Sequence, residues 1–172
     1  VITMLDKAND GSIEDSTEEE QIIEPLKIKK LYNKSMKNLS GGELQKVAVA
    51  ICLLQKADLY ALDEPSAFLD VEDRIAVGKF LQKFCRSFGK SAIVIDHDLQ
   101  LMDLVSDSMV IFEGVSSVKG YATSPLPKID AMNRFLKSLD ITFRRDEKSR
   151  RPRVNKDGSR LDKDQKSNQN YY

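Results

Sequence analysis

Three short stretches of this chain carry residue types suited to phosphate chemistry. An apolar run, Leu59 to Leu62, ends on Asp63-Glu64-Pro65. A second, Ala92 to Ile95, ends on Asp96-His97. Ahead of both, residues 39–43 read LSGGE, which places Ser40, Gly41, Gly42 and Glu43 in succession. In an open parallel sheet, ligands bind beyond the carboxyl ends of the strands, where Asp63, Glu64 and His97 would stand. An aspartate there can hold a magnesium ion, largely through water, while the ion bridges phosphate oxygens. The adjacent glutamate can polarise a water aimed at the terminal phosphorus, and a histidine can hydrogen-bond that water or the departing phosphoryl group. Two glycines at a helix start leave backbone N–H groups uncovered, where the macrodipole adds about half a positive charge. Each stretch taken singly has an ordinary explanation. Strand ends are often polar, a lone histidine is more often a surface or core residue, and S-x-x-E is a common capping box. Their order and spacing point to chemistry.

The elements that must position these residues follow from hydrophobic spacing. Residues 21–37 have the apolar positions of a short amphipathic helix that starts at Pro25. Ser40 opens a clearer helix, with Leu44, Val47, Ala48, Ile51 and Leu54 on one face. Asp70 is the expected N-cap of a third helix whose stripe is Val77, Phe80, Leu81, Phe84 and Phe88, and Gly89 stands where a C-terminal glycine ends it. A short helix passes through Leu99, Met102 and Val105, and a third strand is expected over 109–112. An edge strand could return over 118–123, SPLP at 124–127 breaks the pattern, and a last helix carries Ile129, Met132, Leu136 and Leu139. Strands alternate with helices, so the expected class is α/β with a mostly parallel sheet flanked by helices.

Composition bounds the rest. Hydrophobic residues make up 41% and charged residues 31% of 172 residues, a globular profile with room for a modest core. The longest unbroken apolar run, Val47 to Leu54, is far too short to span a bilayer, and the opening residues lack a signal-peptide pattern. No membrane role is expected, and a cytoplasmic location is. Cys52 and Cys85, the two cysteines, suit small core residues and cannot furnish an iron–sulfur cluster. A net charge of zero hides an asymmetry: eight acids and one lysine from Asp6 to Glu24, against seven bases and three acids from Arg144 to Asp157. We therefore expect a poorly ordered acidic segment at 1–20, a folded body at 21–143, and a basic segment with a polar tail at 144–172.

LSGGE, LYALDEP, SAFLD and IVIDHD together resemble the signature loop, Walker B strand, D-loop and switch-histidine strand of an ABC-type ATPase domain, in family order and across residues 39–113. The glutamate of LSGGE, the phrase DEPSAFLD and the stretch ITFRRDEKSRRPRVNK are similar to the ribosome-recycling, RNase L inhibitor subfamily (the E subfamily). In that subfamily two ATPase domains share one chain, and this sequence looks like the end of the second. The resemblance implies ATP and Mg2+ as ligands, shared with a second nucleotide-binding domain. Ser40, Gly41 and Gly42, with Glu43 completing the motif, would touch the γ-phosphate of ATP held by that opposite domain. Asp63 would position the metal, Glu64 would orient the attacking water, and His97 would sense the γ-phosphate. Asp70 would help communicate between sites. Implied partners are the small ribosomal subunit and release or initiation factors, with rRNA contact by residues 144–157.

The sequence also departs from the family pattern. Gly11 is the only glycine before Gly41, and no G-x-x-x-x-G-K-[ST] stretch occurs. Without that loop nothing here neutralises the β-phosphate, so the chain alone is expected not to hydrolyse ATP and to leave strand edges or apolar faces uncovered. The other readings are a non-catalytic ribosome-binding module, an ABC transporter subunit and a chromosome-maintenance ATPase. The last would place a heptad-repeat arm before LSGGE, and residues 1–38 show none.

Overall fold

Side-chain oxygens at Ser40, Asp70 and Ser159 each accept a first-turn N–H and so open a helix. The computed structural model describes residues 1–115, 117–147 and 152–172, which fall into two compact units, Val1–Val105 and Ser106–Tyr172.

In the first unit, helix α1 (Ile2–Asn9) buries Leu5 and ends at Asp10 in the left-handed region, φ 57°. The expectation of a poorly ordered acidic start is thereby corrected. Leu5 and Ile13 are fully buried in the core with Ile22 and Ile23, and the acids serve as acceptors: Asp6 Oδ1 takes the Ile13 N–H at 2.9 Å. The helix expected over 21–37 is replaced by a π-type turn at Glu19–Ile23 and 3-10 turns at Lys29–Leu31 and Met36–Asn38. Pro25 has no N–H to donate, and Lys27 sits at φ 56°, outside any right-handed helix.

Helix α2 (Gly41–Leu54) starts as expected from a capping box at Ser40. Its buried face is Lys46, Val47, Val49, Ala50, Leu53 and Leu54, whereas Leu44 is 43% exposed and Ala48 also faces outward. The helix is apolar on most sides from 47 to 54, so spacing alone fits more than one face. Strand β1 (Leu59–Asp63) is followed by α3 (Val71–Phe88), β2 (Ser91–Ile95) and α4 (Leu99–Val105). Asp70 caps α3 through the Asp73 N–H, and Gly89 ends it at φ 60°. Of the expected α3 stripe, Val77, Phe80, Leu81 and Phe84 are buried and Phe88 is 40% exposed. Gly78 lets α4 approach, since a β-carbon there would lie 2.7 Å from Leu101 and 2.8 Å from Leu104.

β1 and β2 pair in parallel, with Asp63 opposite Ile95. Tyr60 and Leu62 are buried on one face of this pair, while Leu59, Ile93 and Ile95 on the other are each more than half exposed. Among the described residues the two strands pair only with each other.

In the second unit, β3 (Ser108–Met109), β4 (Phe112–Val115), β5 (Lys119–Ala122) and β6 (Leu126–Pro127) precede α5 (Lys128–Ser138). The strand expected over 109–112 is divided. β3 pairs antiparallel with β6, inside the SPLP stretch, and β4 pairs antiparallel with β5. β7 (Phe143–Arg145) and β8 (Pro152–Val154) form a third antiparallel pair, and α6 (Arg160–Ser167) lies in the expected tail. The tail is built into this unit: Phe143 N–H donates to the Tyr171 carbonyl at 2.7 Å, and Tyr171 is 6% exposed. The division between the two compact units falls after Val105. Part of the basic segment, 148–151, lies outside the described residues.

Candidate phosphate-handling site

Asp63 and Glu64 sit where β1 ends. Asp63 is exposed, and Glu64 turns into the left-handed region at φ 47°. Its N–H donates to the Ile95 carbonyl at 2.7 Å, which carries the parallel pairing one residue beyond β1. The turn brings Glu64 Oε1 to 3.0 Å from His97 Nε2, with the imidazole 89% exposed. Asp63, Glu64 and His97 are thus gathered at the carboxyl ends of adjacent parallel strands, as their sequence positions suggest.

The turn 64–69 is held from three sides. From the end of β2, Asp96 accepts the Ser66 N–H at 3.1 Å and the Ser66 hydroxyl at 2.9 Å, and also the Asp98 N–H at 2.8 Å. From α3, Arg74 donates to the Leu69 carbonyl at 3.2 Å and pairs with Asp98. From α2, Gln45 Nε2 donates to the Glu64 carbonyl at 3.0 Å. Phe68, at φ 61° and 81% exposed, lies over the helix start. A β-carbon on Gly41 would stand 3.0 Å from Phe68 Cβ, and one on Gly42 would stand 3.0 Å from the Phe68 carbonyl oxygen.

At that start, Ser40 Oγ accepts the Glu43 N–H at 3.2 Å, and Glu43 Oε2 accepts the Ser40 N–H at 3.0 Å. The Lys34 ammonium, 2.9 Å away, draws the Glu43 carboxyl below the usual carboxylate range, helped by the Ser40 N–H. Glu43 is therefore an ionised cap turned back on its own helix. Asp70 is likewise engaged, its Oδ1 accepting the Asp73 N–H at 2.8 Å. Asp73 in turn pairs with Lys46 at 2.6 Å. Sequence reasoning passed over Gln45, Ser66, Arg74 and Asp96. Only Asp96 had a signal, being the first polar residue after β2.

Among the described residues no group of three His, Cys, Asp or Glu side chains is placed to cage a metal. One exposed carboxylate at a strand end does fit magnesium, which keeps several waters and takes one or two carboxylates plus substrate phosphates. No helix among the described residues is long and apolar enough to cross a membrane.

Known proteins resemble this chain in sequence and in fold. The sequence model of the ABC transporter family matches residues 2–67. An uncharacterised ABC transporter ATP-binding protein of Methanocaldococcus jannaschii is 44% identical over 95% of this chain and 29% of its own length. Translation initiation factor RLI1 of Saccharomyces cerevisiae is 42% identical over 88% of this chain and 25% of its own. Among solved structures, an archaeal ribosome recycling factor, aABCE1, crystallised with the archaeal ribosomal stalk protein aP1, superposes with a TM-score of 0.90 at 43% identity. That match covers 99% of this chain and 33% of the other. The chain thus spans between a quarter and a third of the length of these relatives. It is an α/β chain that belongs to the ABC ATPase family, and its near relatives over most of its length are the RNase L inhibitor type of translation initiation and ribosome recycling factors.

Proposed function

We propose that this chain is the C-terminal part of the second nucleotide-binding domain of an ATPase that couples ATP binding and hydrolysis to ribosomal subunit dissociation and translation re-initiation. The observation that carries the reading is the 3.0 Å contact between Glu64 and His97 beside Asp63, on a turn packed against the two glycines that start α2. Support for the ribosomal side comes from the relatives, named as an initiation factor and a recycling factor.

On this reading Glu64 holds the attacking water as its base, and His97 orients the Glu64 carboxylate while staying exposed to meet a γ-phosphate. Asp63 is the residue to hold Mg2+ in company with ATP phosphates, which the ion would neutralise. Ser40, Gly41 and Gly42 present the hydroxyl and first-turn N–H groups, which have no intrahelical acceptor, to the ATP of a facing domain. Asp70, as the cap of α3, fixes the end of the turn that lies between the two sites. The place of action is the cytoplasm, with the small ribosomal subunit and release or initiation factors as partners.

A second reading, a ribosome-binding module without catalysis, is favoured by one observation: Arg144, Arg145, Arg153 and Lys156 are all exposed around β7 and β8. These residues suit phosphates of rRNA. Cosedimentation with small ribosomal subunits tests this contact. Binding should weaken with salt, and changing the four cations to alanine should weaken it further, because each phosphate contact contributes to the salt slope. Undiminished binding by the quadruple variant would remove the rRNA contact from both readings. Phosphate release separates catalysis from binding. Loss of a single oxyanion donor already costs about 10²–10³ in rate, so the 172-residue chain, with no G-x-x-x-x-G-K-[ST] stretch, should not turn over ATP. Turnover that disappears in Glu64→Gln would show that it hydrolyses unaided.

A further inference from the structure

We infer that Gln45 is a positioning residue for Glu64: its side-chain amide on α2 holds the Glu64 peptide in a left-handed conformation and so aims the carboxylate at His97. The inference rests on the reading of Glu64 as the water-orienting group, and it adds how that group is set. A residue with a β-carbon is disfavoured in the left-handed region, where Glu64 sits at φ 47°. Such strain persists only when the surroundings over-determine it. Around Glu64 they do. On one side its N–H is tied to the Ile95 carbonyl at 2.7 Å. On the other its carbonyl accepts from Gln45 Nε2 at 3.0 Å and from Ala67 N–H at 3.0 Å. The Ile95 and Ala67 bonds are local to the strand ends and the turn. The Gln45 bond reaches the turn from a helix, the one that begins with Ser40, Gly41 and Gly42. With both peptide planes fixed, the side chain leaves the backbone in one direction, where His97 stands 3.0 Å away. Through Gln45, the helix that offers N–H groups to one phosphate site therefore also sets the carboxylate of the other.

His97 is the sole histidine of the chain, so its Cε1–H gives one signal in proton–carbon spectra of the 172-residue chain at a single pH. Glu64→Gln defines the signal position when the carboxylate contact is lost. Gln45→Met keeps the length of the side chain and removes the donor, and it should move the signal at least halfway to the Glu64→Gln position. Gln45→Lys restores a donor of similar reach and should return the signal to the wild-type position. A purely structural role for Gln45 would not be rescued by a lysine. A Gln45→Met signal at the wild-type position, or equal displacement in Met and Lys variants, would overturn the inference. Should Gln45→Met lose its helical circular dichroism, Gln45→Glu, of the same shape and without a donor when ionised, takes its place, and an unmoved His97 signal there overturns it equally. No nucleotide enters this measurement, so its outcome is separate from whether Glu64 supports hydrolysis.

Discussion

Tyr32 Oη donates to Glu19 Oε1 across 2.7 Å, with Glu19 only 3% exposed. The same carboxylate accepts the Asp15 N–H at 2.9 Å and faces Lys29 Nζ at 3.2 Å. Burial, and then the carboxylate itself, pushes the Tyr32 hydroxyl up. The hydroxyl draws the Glu19 carboxyl below its ordinary value, with the Asp15 N–H second. Tyr32→Phe should destabilise the first unit by about 1.5–3 kcal/mol, the usual contribution of a hydrogen bond to a charged group. The shift is read from the urea midpoint at constant slope. A folded-state value lowered in this way stabilises above the unfolded carboxylate value of about 4.3 and is lost as pH falls through the lower folded value. The wild type should therefore lose more stability than Glu19→Gln as pH drops below about 4.

Asp96 is the fixed point of the turn 64–69. It alone accepts from both the N–H and the hydroxyl of Ser66, a residue 5% exposed. Asp96→Ala would strand those groups, and a buried donor without a partner costs about 1–3 kcal/mol. Asp96→Asn keeps one acceptor oxygen and should lose less. Chemical denaturation of the two variants side by side checks the order, and an alanine variant as stable as the wild type would contradict it.

In the second unit, Asp162 accepts from Thr142 Oγ1 at 2.6 Å and Gly158 N–H at 3.0 Å, and faces Lys166 Nζ at 3.3 Å. The Thr142 hydroxyl is the largest influence holding the Asp162 carboxyl below its ordinary range. Its stabilising effect is complete above the unfolded aspartate value of about 3.9 and fades as pH falls through the folded value. Amide signals of Ser106–Tyr172 should thus broaden or collapse in acid. Asp162→Asn should be less stable at neutral pH yet change less between neutral pH and acid.

These networks explain what was legible in the sequence and what was not. The capping box, the ends of β1 and β2 and the Asp70 cap were readable because each is a local pattern. The order of residues 1–20 was not, because counting acids hides Leu5 and Ile13, which reach the core. Nor was the order of the tail, where Asp162 pairs with Thr142 twenty positions back. The buried side of α2 was misplaced because a helix apolar on most sides has no single stripe to read. Gln45 was invisible for another reason: its acceptor is a backbone carbonyl, which every residue has.

The two glycines of LSGGE should respond differently to alanine. Replacing glycine by alanine inside a helix gains roughly 1 kcal/mol where nothing obstructs the new methyl. On Gly41 the methyl would meet the Phe68 side chain, at 3.0 Å from Cβ and 3.1 Å from Cγ. That ring is 81% exposed and can swing outward. On Gly42 the methyl would meet the Phe68 carbonyl oxygen at 3.0 Å, and that atom belongs to a backbone already at φ 61°. It moves only if the turn moves, and the turn is anchored at Ser66 by Asp96 and at Leu69 by Arg74. Gly41→Ala should therefore be close to neutral in stability, the helix gain offsetting a side-chain adjustment. Gly42→Ala should lower the unfolding midpoint and shift the amide signals of residues 64–69. Equal effects of the two substitutions would mean that the turn yields as readily as the ring, and the tie between helix start and carboxylate turn would then be soft.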